Sequence, residues 1–308
     1  MKRKYRLWQM LVLTVLGAAI VLSLMIPERL LSGPEPKRVE VSILPRHTDS
    51  ALWAAARQGM EQAAEDFGAE LRFLSLSQDN DVQEQIDLLY REAEIGTDAA
   101  VVVPADCARL SQALMDKNTI PVVSLESPLE GAVALVCPDN NLIGQLLASQ
   151  IKADFPRGGR GLLIDSSPGA DGITERLKVT QKVLEEAGFE LTVSPSLPEP
   201  EEFFSKDFVI CFEAQMLDIA AQQASEAAFS PKIYGAGVTD SAVARLERRQ
   251  ITALAAWSEY AAGYLSVTQA VATARNEDVE DAQISVSIVR EGDTYDPDHQ
   301  KLLYPINR

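Results

Sequence analysis

The feature that most constrains this chain is a repeated alternation of short apolar runs with longer stretches of helical period. Residues 99–103 are apolar at every position, which is typical of a parallel strand covered on both faces. Residues 50–67 carry apolar side chains every three or four positions, and Gly68 follows them as a helix stop. This alternation predicts βαβ units with right-handed crossovers on parallel sheets.

The alternation restarts after a glycine-rich segment at residues 158–161 and ends with a predicted strand at 284–289. The predicted strands are too many for one sheet, and 308 residues suffice for two hydrophobic cores. The sequence therefore predicts an α/β fold of two doubly wound parallel-sheet lobes joined by a hinge. Residues 195–207 are the exception, because they are too few for an ordinary crossover helix and predict an irregular link.

Ahead of the alternation, residues 7–26 form an uncharged run in which Gln9 is the only strongly polar side chain. A helix of this length spans about 30 Å, the thickness of a hydrocarbon core. Four cations at residues 2–6 favour a cytoplasmic N-terminus and an extracytoplasmic globular part. We expect one uncleaved transmembrane helix in the cell membrane. The alternatives are a cleaved signal peptide, for which residues 25–29 make a poor cleavage site, and a buried core helix.

Composition and charge exclude several kinds of site. Lys and Arg number 28 against 45 Asp and Glu, and this excess of acid is the wrong sign for nucleic-acid binding. His47 and His299 are too far apart in sequence for a histidine metal motif, so we expect no metal. The cysteines have no CxxC spacing and adjoin apolar runs, which favours buried thiols over one disulfide or a catalytic thiol. They are Cys107, Cys137 and Cys211.

Ligands of doubly wound sheets bind beyond the carboxyl ends of the strands, so the residues that follow each predicted strand are candidates. Among these are two carboxylates, Glu126 and Glu213, and the indole of Trp257. Carboxylates accept hydrogen bonds from several hydroxyls, and an indole packs on the C–H face of a sugar. These side chains would suit a polyol; the alternatives are a packing role for the indole and a solvated or loop-capping role for the carboxylates. A pair of catalytic acids is a further alternative for the two carboxylates, although no spacing in the sequence supports it.

Several segments occur in an order that is informative as a set. They are the helix from Ser50 to Gly68, the strands at 101–106 and 120–126, a predicted crossing at 138–144, and the segment at 166–176. This order resembles that of the sugar-binding type I periplasmic binding proteins, such as the ribose- and galactose-binding proteins. The likeness covers roughly residues 39–290. It implies the same two-lobed fold, a sugar or sugar derivative as ligand, no catalysis and no cofactor.

The resemblance also implies a set of ligand-binding residues, which can be transferred position by position. The set is Ser50, Trp53, Glu126, Thr174, Glu213, Asp240 and Trp257. Thr174 stands where a sugar-clamping arginine is usual in the family, and the nearby Arg176 matches a structural position. Gly237 stands where a sugar-binding aspartate is usual, and Asp240 follows three residues later.

The expected domain boundaries combine the N-terminal uncharged run with the lobes that the resemblance implies. We expect a cytoplasmic tail at 1–6, the anchor at 7–26, a linker at 27–38, a first lobe at 39–137 and 258–282, and a second lobe at 138–257 and 283–308.

The sequence as a whole predicts a membrane-anchored extracytoplasmic solute-binding receptor. Its lobes would close around a small polar ligand of the sugar class and present it to an ABC permease or a sensor histidine kinase. The alternative is a ligand-less adaptor that keeps the fold for protein–protein interaction. A DNA-binding regulator would need a helix-turn-helix where the predicted anchor lies, and a hydrolase would need a nucleophile turn that is absent.

Overall fold

The computed structural model describes a large part of the chain. The described residues are Trp8, 12–17, 38–116, 120–225, 227 and 230–304. Trp8 and residues 12–17 are helical. No helix in this part of the chain is long and apolar enough to cross a membrane. Most of the predicted anchor at 7–26 lies outside the described residues, as do the predicted tail at 1–6 and nearly all of the linker.

Strands and helices alternate along residues 39–303. The strands are β1 (Val39–Leu44), β2 (Ala69–Phe73), β3 (Ala99–Val102), β4 (Val122–Leu125), β5 (Ala134–Pro138), β6 (Arg160–Ile164), β7 (Glu190–Ser194), β8 (Phe208–Cys211), β9 (Lys232–Ala236), β10 (Ala253–Trp257), β11 (Ala282–Ile284) and β12 (Val286–Val289). The helices are α1 (Ala54–Phe67), α2 (Val82–Ile95), α3 (Cys107–Asp116), α4 (Asn140–Asp154), α5 (Asp171–Glu186), α6 (Pro200–Phe203), α7 (Ala214–Ser225), α8 (Asp240–Glu247), α9 (Glu259–Ala274) and α10 (Pro297–Leu303). Short 3-10 turns lie at Ser50–Trp53 and Glu291–Asp293.

The strands form two six-stranded sheets with the same winding. The first has the order β11-β5-β4-β3-β1-β2, and the second has the order β12-β10-β9-β8-β6-β7. All neighbouring strands are parallel except β10 and β12. We call each sheet, with the helices that cover it, a lobe. The prediction of two α/β parallel-sheet lobes is confirmed.

Both faces of each sheet are buried, which explains the continuous apolar runs. In β3, Ala99 and Val101 face one hydrophobic cluster, while Ala100 and Val102 face another on the opposite side of the sheet. Strand β8 alternates in the same way between two clusters. A strand with a core on each side cannot carry polar side chains at every second position, so its sequence loses the usual alternation.

The chain passes between the lobes after β5, after β10 and after β11. The last of these passages divides the strand that we predicted at 284–289. Residue Ala282 pairs with Val136 in the first sheet, whereas Val286 pairs with Trp257 in the second. The short link predicted at 195–207 contains only the single helical turn of α6, which buries Phe203 completely.

The first lobe is covered on one face by α1 and α9, which approach very closely. Gly59 of α1 and Gly263 of α9 lie at the contact. A methyl group on Gly263 would overlap the carbonyl oxygen of Ala56, and one on Gly59 would overlap that of Tyr260. Two glycines therefore permit backbone-to-backbone packing that no larger residue allows.

We expect the substitution Gly263→Ala to lower the free energy of unfolding by about 1–3 kcal/mol, the usual cost of overpacking. The clash is with backbone, so rotation of a side chain cannot relieve it, and it outweighs the gain of about 1 kcal/mol in helix propensity. Denaturant unfolding measures the difference. The control is Gly292→Ala, where no atom lies within 4 Å of the added methyl group. Equal stability of the two variants would contradict the packing argument.

Candidate ligand site between the two lobes

A cavity of about 90 Å³ lies between the lobes, where the carboxyl ends of the strands of both sheets meet. The first lobe contributes Arg46, which follows β1, and Glu126, which follows β4. The second lobe contributes Glu213, which follows β8, and Trp257 at the end of β10. The site is therefore built from both lobes, with charged groups at its centre.

Arg46 links the two lobes through its guanidinium group, and only 3% of the residue is exposed. Its Nη2 donates to Glu126 in its own lobe at 2.8 Å. Its Nη1 donates to Glu213 and, at 3.2 Å, to the hydroxyl of Ser167, both in the second lobe. The hydroxyl of Ser166 also donates to Glu213. One arginine thus holds a carboxylate from each lobe.

Arg176 on α5 makes the reciprocal connection from the second lobe. Its Nη2 donates to the second oxygen of Glu126 at 3.2 Å. Its Nε donates to Asn140 at 2.7 Å, and its Nη1 donates to the carbonyl of Phe212 at 3.0 Å. The guanidinium carbon lies 4.8 Å from the ring centre of Trp257, which is a cation–π distance. Glu126 is therefore bound by one arginine from each lobe.

The two carboxylates are ionised at neutral pH. Burial opposes ionisation of Glu213, but the charge of Arg46 and hydrogen bonds from His47 and Ser166 outweigh it and hold its pKa well below the ordinary 4.5. Burial likewise opposes ionisation of Glu126, and the charges of Arg46 and Arg176 overcome it, so its pKa is also lowered. Two guanidinium groups and two carboxylates therefore cancel in charge.

The loops that carry these charges are held by local structure. Gln85 on α2 is fully buried and donates to the carbonyl groups of Leu44 and Val103, while it accepts from the amide of Ala105. It thereby clamps together the loops after β1 and β3. Glu126 has a φ of 74°, in the left-handed region that is unfavourable for a residue with a side chain. Such strain is typical of functional sites.

Three nitrogens of cavity-lining side chains are buried and have no hydrogen-bond partner among the described residues; those of Arg46 and Trp53 are donors, and that of His47 donates or accepts according to its tautomer. They are Nε of Arg46, Nδ1 of His47 and Nε1 of Trp53. Buried donors are normally satisfied, so an unpartnered group calls for an explanation. Donors of this kind suit a ligand rich in acceptor oxygens.

Four of the seven residues predicted for the site line the cavity: Trp53, Glu126, Glu213 and Trp257. Trp257 is only 2% exposed and packs in the core, whereas Trp53 is half-buried, with its ring centre 5.5 Å from that of Phe73. The two tryptophans therefore share one cavity but offer different amounts of surface to it.

The other three predicted residues do not line the cavity. Ser50 is exposed at the start of a 3-10 turn. Asp240 is exposed at the start of α8, although Gly237 nearby does line the cavity. The hydroxyl of Thr174 donates back to the carbonyl of Pro168 at 3.3 Å. Arg176 faces the cavity instead, although it was expected to be structural.

Sequence reasoning also missed Arg46, His47, Gln215 and Glu259 as lining residues. The first two lie in the segment after β1 that the strand-end rule selects, and their charge was the available signal. Glu259 is the first residue of α9 and lies two positions after Trp257, the strand-end residue that the sequence did indicate.

The three cysteines are unpaired. Burial raises the pKa of Cys107 and of Cys137 to about 11, so both are protonated at neutral pH. Cys211 is fully buried. In the part of the chain that the structure describes, no group of three or more His, Cys, Asp or Glu side chains could hold a metal ion.

The family model described as the periplasmic binding protein domain matches residues 41–278, which include the core strands of both lobes. The chain belongs to this family. The resemblance inferred from the order of segments is confirmed. Periplasmic binding proteins of this family are solute-binding proteins and not enzymes. No curated protein matches the chain significantly.

Solved structures of periplasmic binding proteins are similar to this chain in fold. A glucose-galactose binding protein from Geobacillus stearothermophilus is 18% identical, with a TM-score of 0.75 over 84% of this chain and 100% of its own. A Caulobacter myo-inositol binding protein bound to myo-inositol is 20% identical, with a TM-score of 0.75 over 88% and 99%. A carbohydrate transporter solute binding protein from Agrobacterium radiobacter, in complex with D-arabinose, is 19% identical, with a TM-score of 0.74 over 87% and 99%.

We expect the substitution Arg46→Met to shift this periplasmic binding protein towards an open arrangement of its lobes. Without Arg46, Glu213 would keep a buried charge, and removing one partner of a buried pair costs about 3–5 kcal/mol. Separation of the lobes would let water reach the carboxylate. Small-angle X-ray scattering on the purified protein should show a larger radius of gyration.

The matched control is Arg249→Met, which removes an exposed ion pair with Glu291 in the second lobe. Exposed pairs contribute at most about 1 kcal/mol, so this variant should scatter like the wild type. If Arg46→Met also scatters like the wild type and unfolds at the same denaturant concentration, the bridging role of Arg46 is wrong.

Proposed function

We propose that this protein is an extracytoplasmic receptor that closes its two lobes around a small polar ligand of the sugar or polyol class. The observation that carries this proposal is the cavity at the strand ends, which is lined by charged and aromatic side chains from both lobes. Binding sites of doubly wound sheets occur at this location.

The chemistry of the lining supports a ligand with many hydroxyl groups. The unpartnered donors of Arg46 and Trp53 require acceptor oxygens, and the carboxylates of Glu126 and Glu213 accept from hydroxyl groups. Trp53 supplies an aromatic surface that is only half-buried. Two proteins of similar fold were solved with D-arabinose and with myo-inositol. Both ligands present hydroxyls on a compact ring.

The cavity of about 90 Å³ is smaller than the roughly 300–1,000 Å³ of typical ligand pockets. A sugar therefore enters only when the lobes move apart and then close on it. Hinge closure of this kind is a known response of two-lobed proteins to ligands. The interlobe ion pairs of Arg46 and Arg176 oppose the opening step.

The same ion pairs favour a second candidate function, that of a ligand-less adaptor. They close the cleft with the protein's own side chains, so a ligand is not needed to bring Arg46 and Glu213 together. In this alternative the closed domain serves as a rigid surface for another protein.

We expect a sugar or polyol to stabilise the purified full-length protein in detergent. A ligand at 100 times its dissociation constant adds about 2.7 kcal/mol to the free energy of unfolding, which thermal unfolding detects readily. The panel consists of pentoses, hexoses, inositols and their derivatives, with amino acids and nucleosides as other classes. A panel with no stabilising compound would favour the adaptor function.

For a compound that binds, Trp53→Ala should weaken binding about tenfold or more, because it removes an aromatic contact in the cleft. Trp53→Phe keeps a ring but removes the N–H donor, so its loss should be smaller. Isothermal titration calorimetry measures both. The control is Trp8→Ala, outside the cavity, which should bind like the wild type. Unchanged affinity in Trp53→Ala would remove this residue from the site.

We also propose that residues 7–26 anchor the receptor in the cell membrane, with the lobes outside the cytoplasm. The support is the uncharged run of 20 residues and the four cations that precede it. The closed receptor would then contact a membrane partner, either an ABC permease or a sensor histidine kinase.

The anchor predicts that the full-length protein sediments with membranes and resists extraction by high salt. Protease added outside intact protoplasts should digest the lobes. A variant with Leu13→Arg and Leu16→Arg should leave the membrane fraction, because each charge at the centre of a span costs about 2.5–3.5 kcal/mol. Release of a soluble species that begins after residue 26 would show cleavage and contradict the anchor.

A further inference from the structure

Glu259 is a carboxylic acid of the cavity that takes no part in the ion pairs formed by Arg46 and Arg176. It is the first residue of α9, where the hydroxyl of Ser258 caps the helix by accepting from the amide of Ala261 at 3.1 Å. The residue is half-buried and lines the cavity. Among the residues that the structure describes, no cationic side chain lies within ion-pair distance of its carboxylate.

The two arginines of the site, Arg46 and Arg176, already form ion pairs with other acids. Both terminal nitrogens of Arg46 donate to Glu126 and Glu213, and Arg176 donates to Glu126 and to two further oxygens. Three carboxyl groups therefore share two guanidinium groups. The remaining carboxyl group belongs to Glu259, which forms no ion pair within the part of the chain that the structure describes.

The surroundings of Glu259 oppose its ionisation in the ligand-free protein. Burial and the charge of Glu126 raise its pKa to about 8, although Arg176, the Trp257 ring N–H and Arg46 act in the opposite direction. The carboxyl group is therefore mostly protonated at pH 7. A positive charge placed beside it would favour the ionised form.

The rest of the cavity suits a ligand that is both cationic and hydroxylated. The half-buried ring of Trp53 lines the same space as Glu259, and indoles attract cations more strongly than other side-chain rings do. Arg46 is more than nine-tenths buried, and neither its Nε nor the Nε1 of Trp53 has a hydrogen-bond partner among the residues that the structure describes. The ligand must therefore supply acceptor oxygens for these donors and a positive charge for Glu259.

We propose that the cavity selects an amino sugar, whose ammonium group pairs with Glu259 while its hydroxyl oxygens accept from Arg46 and Trp53. This inference rests on the proposed function and narrows its ligand class. Neutral sugars of the same shape lack the charge that the site requires.

Isothermal titration calorimetry on the full-length protein in detergent tests the inference at pH 6.5. The probes are glucosamine, galactosamine and mannosamine, each beside its parent hexose and its N-acetyl form. At least one amine should bind about tenfold or more tightly than both of its neutral counterparts. Its binding should release about one proton, because the ligand lowers the pKa of Glu259 from about 8 to below the working pH. Buffers of different ionisation enthalpy measure that proton.

The variant Glu259→Gln should lose the preference for the amine and release no proton, so that the amine and its parent hexose bind with about the same affinity. The control is Glu291→Gln, which removes an acid from an exposed pair outside the cavity and should keep both properties. If Glu259 merely supported the fold, its substitution would weaken the binding of neutral and cationic sugars alike. The preference for the amine and the release of a proton would then stay as in the wild type.

The outcomes separate this inference from the proposed function. Binding of neutral hexoses, inositols or pentoses without any preference for an amine would overturn the inference and leave the receptor function intact. A preference that persists in Glu259→Gln would also overturn it. Failure of every sugar, neutral or cationic, would overturn the inference together with the proposed function.

Discussion

The closed arrangement of the lobes depends on the guanidinium group of Arg46, which is buried between two carboxylates from different lobes. A charge in this position is stable only while its partners stay in place, because an isolated buried charge costs several kcal/mol. Arg176, in the second lobe, likewise needs its ion pair with Glu126 of the first lobe. The cleft is therefore closed by charge pairing, and any ligand must enter in competition with it.

The fold brings these charges together because each follows a parallel strand or begins a helix at the same edge of a sheet. Arg46 follows β1 and Glu126 follows β4, the two strands that flank β3 in the first sheet, and Glu213 follows β8, one of the two central strands of the second. The buried Gln85 fixes the loop that carries Arg46, and the left-handed backbone at Glu126 directs the turn after β4. Local constraints at a few loop positions thus determine the electrostatics of the whole cleft.

The fold was largely predictable from sequence, whereas the site was predictable only in part. Strands with a core on each face leave continuous apolar runs, but nothing in residues 284–289 marks the change of sheet at Ser285. The strand-end rule found Glu126 and Glu213, since it depends only on strand positions. The resemblance put Thr174 in the site and gave Arg176 a structural role, although the two are two positions apart and therefore face nearly opposite sides of a helix. The pairing of Arg46 depends on closure of the lobes, which no local pattern reports.

The three passages between the lobes have a mechanical consequence. In the described chain the number of passages is odd, so the segment that begins at Val39 enters the first lobe, while Leu303 packs in the core of the second. A tether that precedes Val39 would pull on one lobe alone. When the interlobe ion pairs break, the other lobe would turn on its three backbone connections, and its angle to the tethered lobe would be the quantity that a neighbouring protein could sense.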